Sequence, residues 1–433
     1  MALTPGRRYA VPAVFFALAA ASIFVGSLEA RPYSAVEIRG SEFIPSNDIA
    51  AACEVTPGAW TSTDMTAVED CLMSSGQFSR VAVKGEGPTL VVEVEELNNR
   101  PGRVELGLAY DSRDGVVGNV YFERYNLFPG TFGSIELRFA EEVQSLQTAL
   151  YHAKAFGSVD FGLDTLIRRS DYSDQGFTST RTQIEPYLAL PFTEGGRVEL
   201  GIGYRRDEMS DLTPGSSALF ATEEGVVDAP YARLGLSYSS KTEGPAAPGT
   251  ATGISLSLDQ YFWGLGTDER TYETRVEADA RFAIADRTSL LLGFQGGIVK
   301  AQGDQSTRAV DRFFLGGADF RGFAPRGLGP KDGDWFTGAN KYYVTSIELQ
   351  RELDQFLGTS GRVGLFADAG SAWGLDNTLG GSIDDSKKIR SSVGLSLTLD
   401  LGEIPVSLFV AKPLDYETGD DRQSFGISFS TSF

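Results

Sequence analysis

Between Thr271 and Phe282 the chain alternates with unusual strictness. Tyr272, Thr274, Val276, Ala278, Ala280 and Phe282 fall on one side of an extended strand, and Glu273, Arg275, Glu277, Asp279 and Arg281 on the other. Successive side chains of a strand point to opposite faces, so these charges share one face and need water or mutual pairing there. A dry sandwich core cannot hold them, because unpaired buried charge is too costly. Apolar outside and charged inside is the pattern of a strand in the wall of a membrane barrel, with lipid on one face and a polar interior on the other. The period of two recurs in Arg103–Tyr110, where Val104, Leu106, Leu108 and Tyr110 share a face, and in Arg197–Tyr204 with Val198, Leu200, Ile202 and Tyr204.

Composition fits that reading. A mean hydropathy of −0.12 with 42% hydrophobic residues looks soluble on average, but a barrel wall faces lipid with only every second residue. The 50 Gly, 28 Phe and 16 Tyr supply turns and the aromatics that girdle barrel rims. A formal charge of −20 argues against a nucleic-acid partner, whose phosphates would repel it. Arg7 and Arg8 precede the apolar core VPAVFFALAAASIFVG, which is short for a membrane helix and reads as a signal peptide over residues 1–30; a retained anchor is the alternative. Apolar runs of membrane-helix length do not recur, so further membrane contact must use strands.

Residues 31–97 read as a small α+β domain, with a strand at Tyr33–Arg39, a helix opened by Ser46 or Asn47, and a helix over about Asp64–Ser75 capped by Thr63 and stopped by Gly76. Strands at Phe78–Lys84 and Thr89–Glu95 complete it. The exported context favours a disulfide between Cys53 and Cys71 over two buried thiols on facing helices. With His152 as the sole histidine and no second cysteine pair, neither a metal site nor a cofactor is expected. The segments EIRGSEFIPSNDI, PGAW, CLMSSGQFSRVAV and LVVEVEE resemble a POTRA domain, the periplasmic module of polypeptide-transport barrels. That resemblance implies capture of extended substrates by strand addition at a sheet edge.

Residues 98–102 read as a linker, and 103–433 as the barrel, with room for about sixteen strands at roughly 20 residues each. Long connections near 207–226, 301–340 and 373–388 alternate with short ones, as outer loops alternate with tight periplasmic turns. The longest carries FFLGGADFRGFAPRGLGP, Phe313–Pro330, in which glycines flank Arg321 between Phe320 and Phe323. So much glycine implies unusual turns or close approach to another surface.

That loop, with SIELQREL, GLFADAGSAW, IRSSVGLSLTLDLGEIPVSLFVAKPL and the terminal SFGISFSTSF, resembles the BamA/TamA superfamily of outer-membrane assembly barrels, whose signature is an Arg-Gly-Phe or Arg-Gly-Tyr triplet. The resemblance implies a mainly β protein, a transmembrane antiparallel barrel preceded by one POTRA domain in the periplasm. It further implies that Phe320, Arg321, Gly322 and Phe323 fold into the lumen, with Arg321 meeting Glu348 and Asp368. Counting by twos agrees: if Ile347, Leu349, Leu365 and Ala367 face lipid, both carboxylates point inward.

The implied function is insertion of barrels, or passage of polypeptides, through a lateral gate between the first and last strands, about Arg103–Tyr110 and Ser424–Phe433. Gly107 and Gly426 weaken those strands. Ser430 stands where some members carry a strand-kinking glycine. The expected partners are unfolded outer-membrane or secreted polypeptides, outer-membrane lipid and accessory periplasmic factors. A two-partner-type secretion pore and a passive porin are the alternatives. An enzyme is not expected: acids such as Glu277 and Asp279 imitate a catalytic pair, but no nucleophile–base set or phosphate loop accompanies them.

Overall fold

The computed structural model describes residues 30–96 and 102–432, apart from 42–43, 45, 76, 112–114, 126, 129, 194, 242–248, 357 and 402–403. The chain divides into two compact units, Met1–Asn99 and Arg100–Phe433. The signal-peptide reading, most of the linker, Gly76 and Phe433 lie outside the described residues.

In the first unit the order is β1 (Arg31–Tyr33), β2 (Ala35–Arg39), α1 (Ser46–Ala52), β3 (Gly58–Trp60), α2 (Ser62–Ser74), β4 (Phe78–Glu86) and β5 (Thr89–Glu96). β5 is central, parallel to β2 and antiparallel to β4. Its Leu90 and Val92 bury against Ile49 of α1 and against Val68 and Leu72, four apart on one face of α2. Cys53 and Cys71 are bonded, tying the end of α1 to α2.

Three local readings change. The strand expected at Tyr33–Arg39 breaks at Ser34, whose N–H donates to the Pro88 carbonyl, and β1 turns away to pair with β3. α2 is capped by Thr61 rather than Thr63. Thr61 Oγ1 accepts the Asp64 N–H at 3.2 Å while an Asp64 carboxylate oxygen accepts the Thr61 N–H at 2.8 Å, a reciprocal capping box that a cap two residues later could not make. Ser46 and Asn47, the expected caps of the first helix, are already the first two residues of α1.

The second unit is an antiparallel closed barrel. Its first half is β6 (Gly102–Asp111), β7 (Gly115–Tyr125), β8 (Thr131–Phe139), β9 (Val143–Phe156), β10 (Val159–Tyr172), β11 (Phe177–Thr193), β12 (Gly196–Ser210) and, after helix α3 (Ala218–Glu223), β13 (Gly225–Lys241). Strands β14 (Ala251–Trp263), β15 (Thr271–Ala285) and β16 (Thr288–Ala301) lead into the longest loop. That loop holds three two-residue strands, β17 (Gly322–Phe323), β18 (Lys331–Asp332) and β19 (Trp335–Phe336). The wall resumes with β20 (Lys341–Phe356), β21 (Thr359–Trp373), β22 (Arg390–Leu401) and β23 (Ile404–Asp415), and after the short β24 (Arg422–Gln423) it ends with β25 (Phe425–Ser432). Sixteen strands close the wall, β25 pairing with β6.

Period-two sorting accounts for both faces. Val104, Leu106, Leu200, Ile202 and Tyr204 are exposed on the outer wall. The opposite parity carries polar networks. Arg233 bonds Glu185, Glu199 and Asp259 at 2.6–3.0 Å, and Glu273 accepts from Trp263 and Arg275. Of the five charges that rule out a dry core, Glu273 and Arg275 pair with each other, Arg281 meets Glu352 at 3.8 Å, and Asp279 accepts from Ser255. On one rim the connections from β9 to β10, β11 to β12, β15 to β16 and β20 to β21 are two residues long, and on the other 211–224, 302–340 and 374–389 are long. The first of those long loops is shorter than expected at 207–226, since β12 runs to Ser210 and α3 occupies part of the remainder.

Candidate functional site

The long loop after β16 turns into the lumen and packs on the wall through Leu315, Phe320, Phe323 and Leu328, buried against Val344 of β20 and Ala372 of β21. Gly322 adopts φ +101°, and a Cβ there would stand 2.9 Å from the Ser392 Cβ of β22. Only glycine allows both the turn and that approach. The turn delivers Arg321 to the wall.

The Arg321 guanidinium is nearly saturated. Its Nε donates to Asp368 Oδ2 at 2.8 Å, Nη2 to Asp368 Oδ1 at 2.8 Å and to Ser346 Oγ at 2.9 Å, and Nη1 to Glu348 Oε2 at 2.7 Å. Two parallel bonds to Asp368 form the fork that guanidinium geometry favours. Both carboxylates are braced: Ser346 donates to Asp368 at 2.7 Å and Ser396 to Glu348 at 2.6 Å. The plane of charge lies over the Phe366 ring, 3.4 Å from its centroid. Asp368 is 3% exposed. Ile347, Leu349 and Leu365 are exposed on the lipid side, so the alternation of β20 and β21 places Glu348 and Asp368 inward. The same parity points Ser346 and Phe366 inward, a signal present in the alternation of the sequence.

A cavity of about 830 Å³ runs beside this clasp, lined by Arg168, Arg275, Glu277, Arg321, Arg326 and Glu348 among others. The outer loops are bound to one another by further arginines. Arg312 clamps Glu223 of α3 at 2.7 and 2.9 Å, and Arg390 clamps Asp420 at 2.9 and 3.0 Å. Burial pushes the Glu223 carboxyl above the usual range, with Arg312 pulling against it. Among the described residues no cluster of three or more His, Cys, Asp or Glu is arranged to hold a metal.

The clasp reaches the last strand through backbone. β17 pairs with β24, Gly322 opposite Gln423 and Phe323 opposite Arg422, and the Ala324 N–H donates to Asp421 O at 2.9 Å. β25 then begins. Among the described residues it meets β6 over five register pairs, Ser428 with Asp111 through Ser432 with Gly107, and Phe429 lies opposite Tyr110. Elsewhere a ladder such as β12–β13 runs from Gly196–Tyr238 to Met209–Gly225, fourteen pairs.

Two residues expected at this junction lie outside its paired stretch. Arg103 is engaged within β6 and β7 by Glu105 and Glu123 at 2.9 and 3.2 Å. Gly426 faces Phe409 of β23. Neither glycine leaves a gap: a Cβ at Gly426 would stand 2.2 Å from the Phe409 ring, and one at Gly107 1.6 Å from the Asn119 amide oxygen. Phe409 in turn meets Phe366 at 6.4 Å between centroids.

A family model described as the Omp85 superfamily domain matches residues 130–433. Among curated proteins the chain is similar to the outer membrane protein assembly factor BamA of Neorickettsia risticii (strain Illinois). They are 23% identical over 368 residues, which cover 82% of this chain and 49% of that protein. The chain therefore spans about half the length of that relative. Among solved structures it resembles BamA from Haemophilus ducreyi lacking POTRA domains 1-3, with a TM-score of 0.78 at 17% identity, covering 93% of this chain and 85% of the other. CdiB from Acinetobacter baumannii matches with a TM-score of 0.55 at 13% identity, covering 93% and 74%. Both of these are likenesses of fold.

Proposed function

The chain belongs to the Omp85 superfamily of outer-membrane β-barrels, and on that footing we propose a noncatalytic assembly factor that inserts client strands into the outer membrane through the junction of β6 and β25. The observation that carries this reading is the short ladder at that junction, five pairs among the described residues. In hydrocarbon a backbone N–H or C=O without a partner costs several kcal/mol, so a client strand cannot enter lipid with a bare edge. A short ladder exchanged bond for bond with an incoming edge avoids that penalty, and no nucleotide hydrolysis is required. The relative named as an assembly factor supports this reading.

The first unit suits the role of a periplasmic client-binding module. In its sheet β2 and β4 are the outer strands, and an extended polypeptide can add to such an edge through main-chain hydrogen bonds with little demand on sequence. Accessory periplasmic factors could dock in the same way. The competing reading, a secretion pore of the two-partner type, requires polypeptide to pass where the Arg321 loop now lies.

The test is a disulfide across one register pair, Leu108→Cys with Thr431→Cys, in the full chain reconstituted in lipid vesicles. With the bond closed, the barrel should stay folded while assembly of a urea-unfolded barrel client stops, and reductant should restore it. Full assembly activity from the locked protein would reject the junction as the route.

A further inference from the structure

Three of the chain's nine lysines stand together on the lipid-facing wall at the rim that bears the long loops. Lys300, the last residue but one of β16, shares the parity of Ile298, which is 51% exposed; Lys341 opens β20 on the parity of Ile347, which is 55% exposed; and Lys387 lies exposed in the loop just before β22, two residues from Ile389, which is 60% exposed. Opposite parities turn inward, as the burial of Val299 and Val344 shows. The register sets Ile298 beside Lys341 and Lys341 beside Trp373, so Lys300, Lys341 and Trp373 follow one another across neighbouring strands. Lys387 Nζ lies 4.8 Å from the ring centroids of both Tyr343 and Trp373.

Charge makes this band unusual. In a protein of net charge −20, carboxylates are plentiful, and other cations near this rim use them: Arg206 meets Asp228 at 3.4 Å, Arg169 meets Asp211 at 3.6 Å, and Lys388 meets Asp384 at 2.8 Å. Among the described residues no carboxylate lies within ion-pair distance of Lys300, Lys341 or Lys387. Aromatic rings at this height mark the membrane–water interface, where an apolar body and a polar edge are both accommodated. A row of ammonium groups at the interface with no carboxylate partner among the described residues calls for anionic headgroups.

We propose that Lys300, Lys341 and Lys387, with Tyr343 and Trp373, form a binding site for the phosphate headgroup of an anionic outer-leaflet lipid. The ammonium groups take the phosphate oxygens, and the two rings pack on the adjoining sugar or glycerol and the first acyl carbons. The site is distinct from the Arg321 clasp and from the β6–β25 junction, and it stands whether or not that junction opens.

The experiment is native mass spectrometry of the full chain in detergent, titrated with lipid A carrying both phosphates and, separately, with the same lipid dephosphorylated. A lysine near an anionic surface contributes a factor of roughly five in affinity, so Lys300→Gln, Lys341→Gln, Lys387→Gln together should weaken the phosphorylated lipid on the order of 100-fold at low salt. The triple arginine variant should bind within a few-fold of the wild type. Comparing the two lipids on the wild-type protein needs no variant, and covers the case in which the glutamine protein fails to fold. Equal binding of both lipids, undiminished binding by the glutamine variant, or displacement of the lipid by equimolar inorganic phosphate would overturn the site.

Discussion

Replacing Arg321 with alanine removes the one cation between Asp368 and Glu348, whose side chains are 2% and 12% exposed. Breaking a buried ion pair from one side costs about 3–5 kcal/mol, because the remaining charge keeps its desolvation without its partner. Two features set the expected loss at the low end, about 3 kcal/mol. Ser346 and Ser396 still donate to the carboxylates, and the adjoining cavity admits water. Loss of the stacking on Phe366 acts in the opposite direction, by roughly 1–2 kcal/mol for a partly desolvated cation over a ring. The assay is guanidinium unfolding of the reconstituted barrel, followed by tryptophan fluorescence and by the heat-dependent shift in gel mobility. Arg321→Ala should lower the midpoint. Adding Asp368→Asn should recover part of the loss, since one stranded charge disappears with it. Arg321→Lys should fall between, because a point charge cannot fork to Asp368 while reaching Glu348. An unchanged midpoint in Arg321→Ala, or a double variant worse by the full cost of Asp368→Asn alone, would refute the clasp as a source of stability.

Three further outcomes concern the first unit. Cys53→Ala with Cys71→Ala opens a link between residues 18 apart and should cost this unit about 3 kcal/mol, seen as faster protease cleavage within residues 31–96 while the barrel's gel mobility is unchanged; equal cleavage would remove the bond from the account. Thr61→Ala should cost about 1 kcal/mol of cap, read as roughly five-fold faster amide exchange in the first turn of α2. Hydrogen bonds from the Thr61 backbone and then its hydroxyl hold the Asp64 carboxyl below the usual range. Its contribution is therefore present above the unfolded carboxyl pKa near 4 and is lost as pH falls through the lower folded value. Protection in that turn, meaning exchange relative to the intrinsic rate at each pH, should fall on acidification in the wild type and stay flat in Asp64→Asn; parallel profiles would show that the capping carboxylate is not responsible.

Legibility in the sequence followed the range of the interactions. The wall could be read because a strand's parity is local. Once Glu273 to Arg281 share a face, lipid and lumen are assigned, and the same counting turns Glu348 and Asp368 inward. Parity could equally have exposed Ser346 and Phe366 as neighbours of Arg321. What stayed hidden depends on contacts with no period. Glu223 and Arg312 are 89 residues apart on two loops, and the pairing of Gly322–Phe323 with Arg422–Gln423 joins loops that share no pattern. The break at Ser34 was lost because a bend hydrogen-bonded to Pro88 leaves the flanking residues alternating as one strand would. Thr61 and Thr63 both satisfy the cap preference, and only Asp64 at the third position after Thr61 distinguishes them.

Ladder length and loop attachment together give the proposed opening a direction. Among the described residues β25 is held by five pairs on each side, against fourteen between β20 and β21 beneath the clasp. Its outer end is tied further, because β24 is paired to the arginine loop and that loop is fastened by Arg321 to the wall. The inner end has no such attachment among the described residues, and β6 extends past the last described pair, Ser432 with Gly107, down to Gly102. Separation should therefore begin at the rim of short turns and hinge near Phe425, with the clasp as the fixed point. The position of a crosslink then matters. A disulfide placed at the Gly107–Ser432 pair should abolish client assembly, whereas one at Asp111–Ser428, close to the hinge, should leave part of it. Equal loss at both positions would mean that the strands part along their whole length at once, and that the arginine loop does not anchor the last strand.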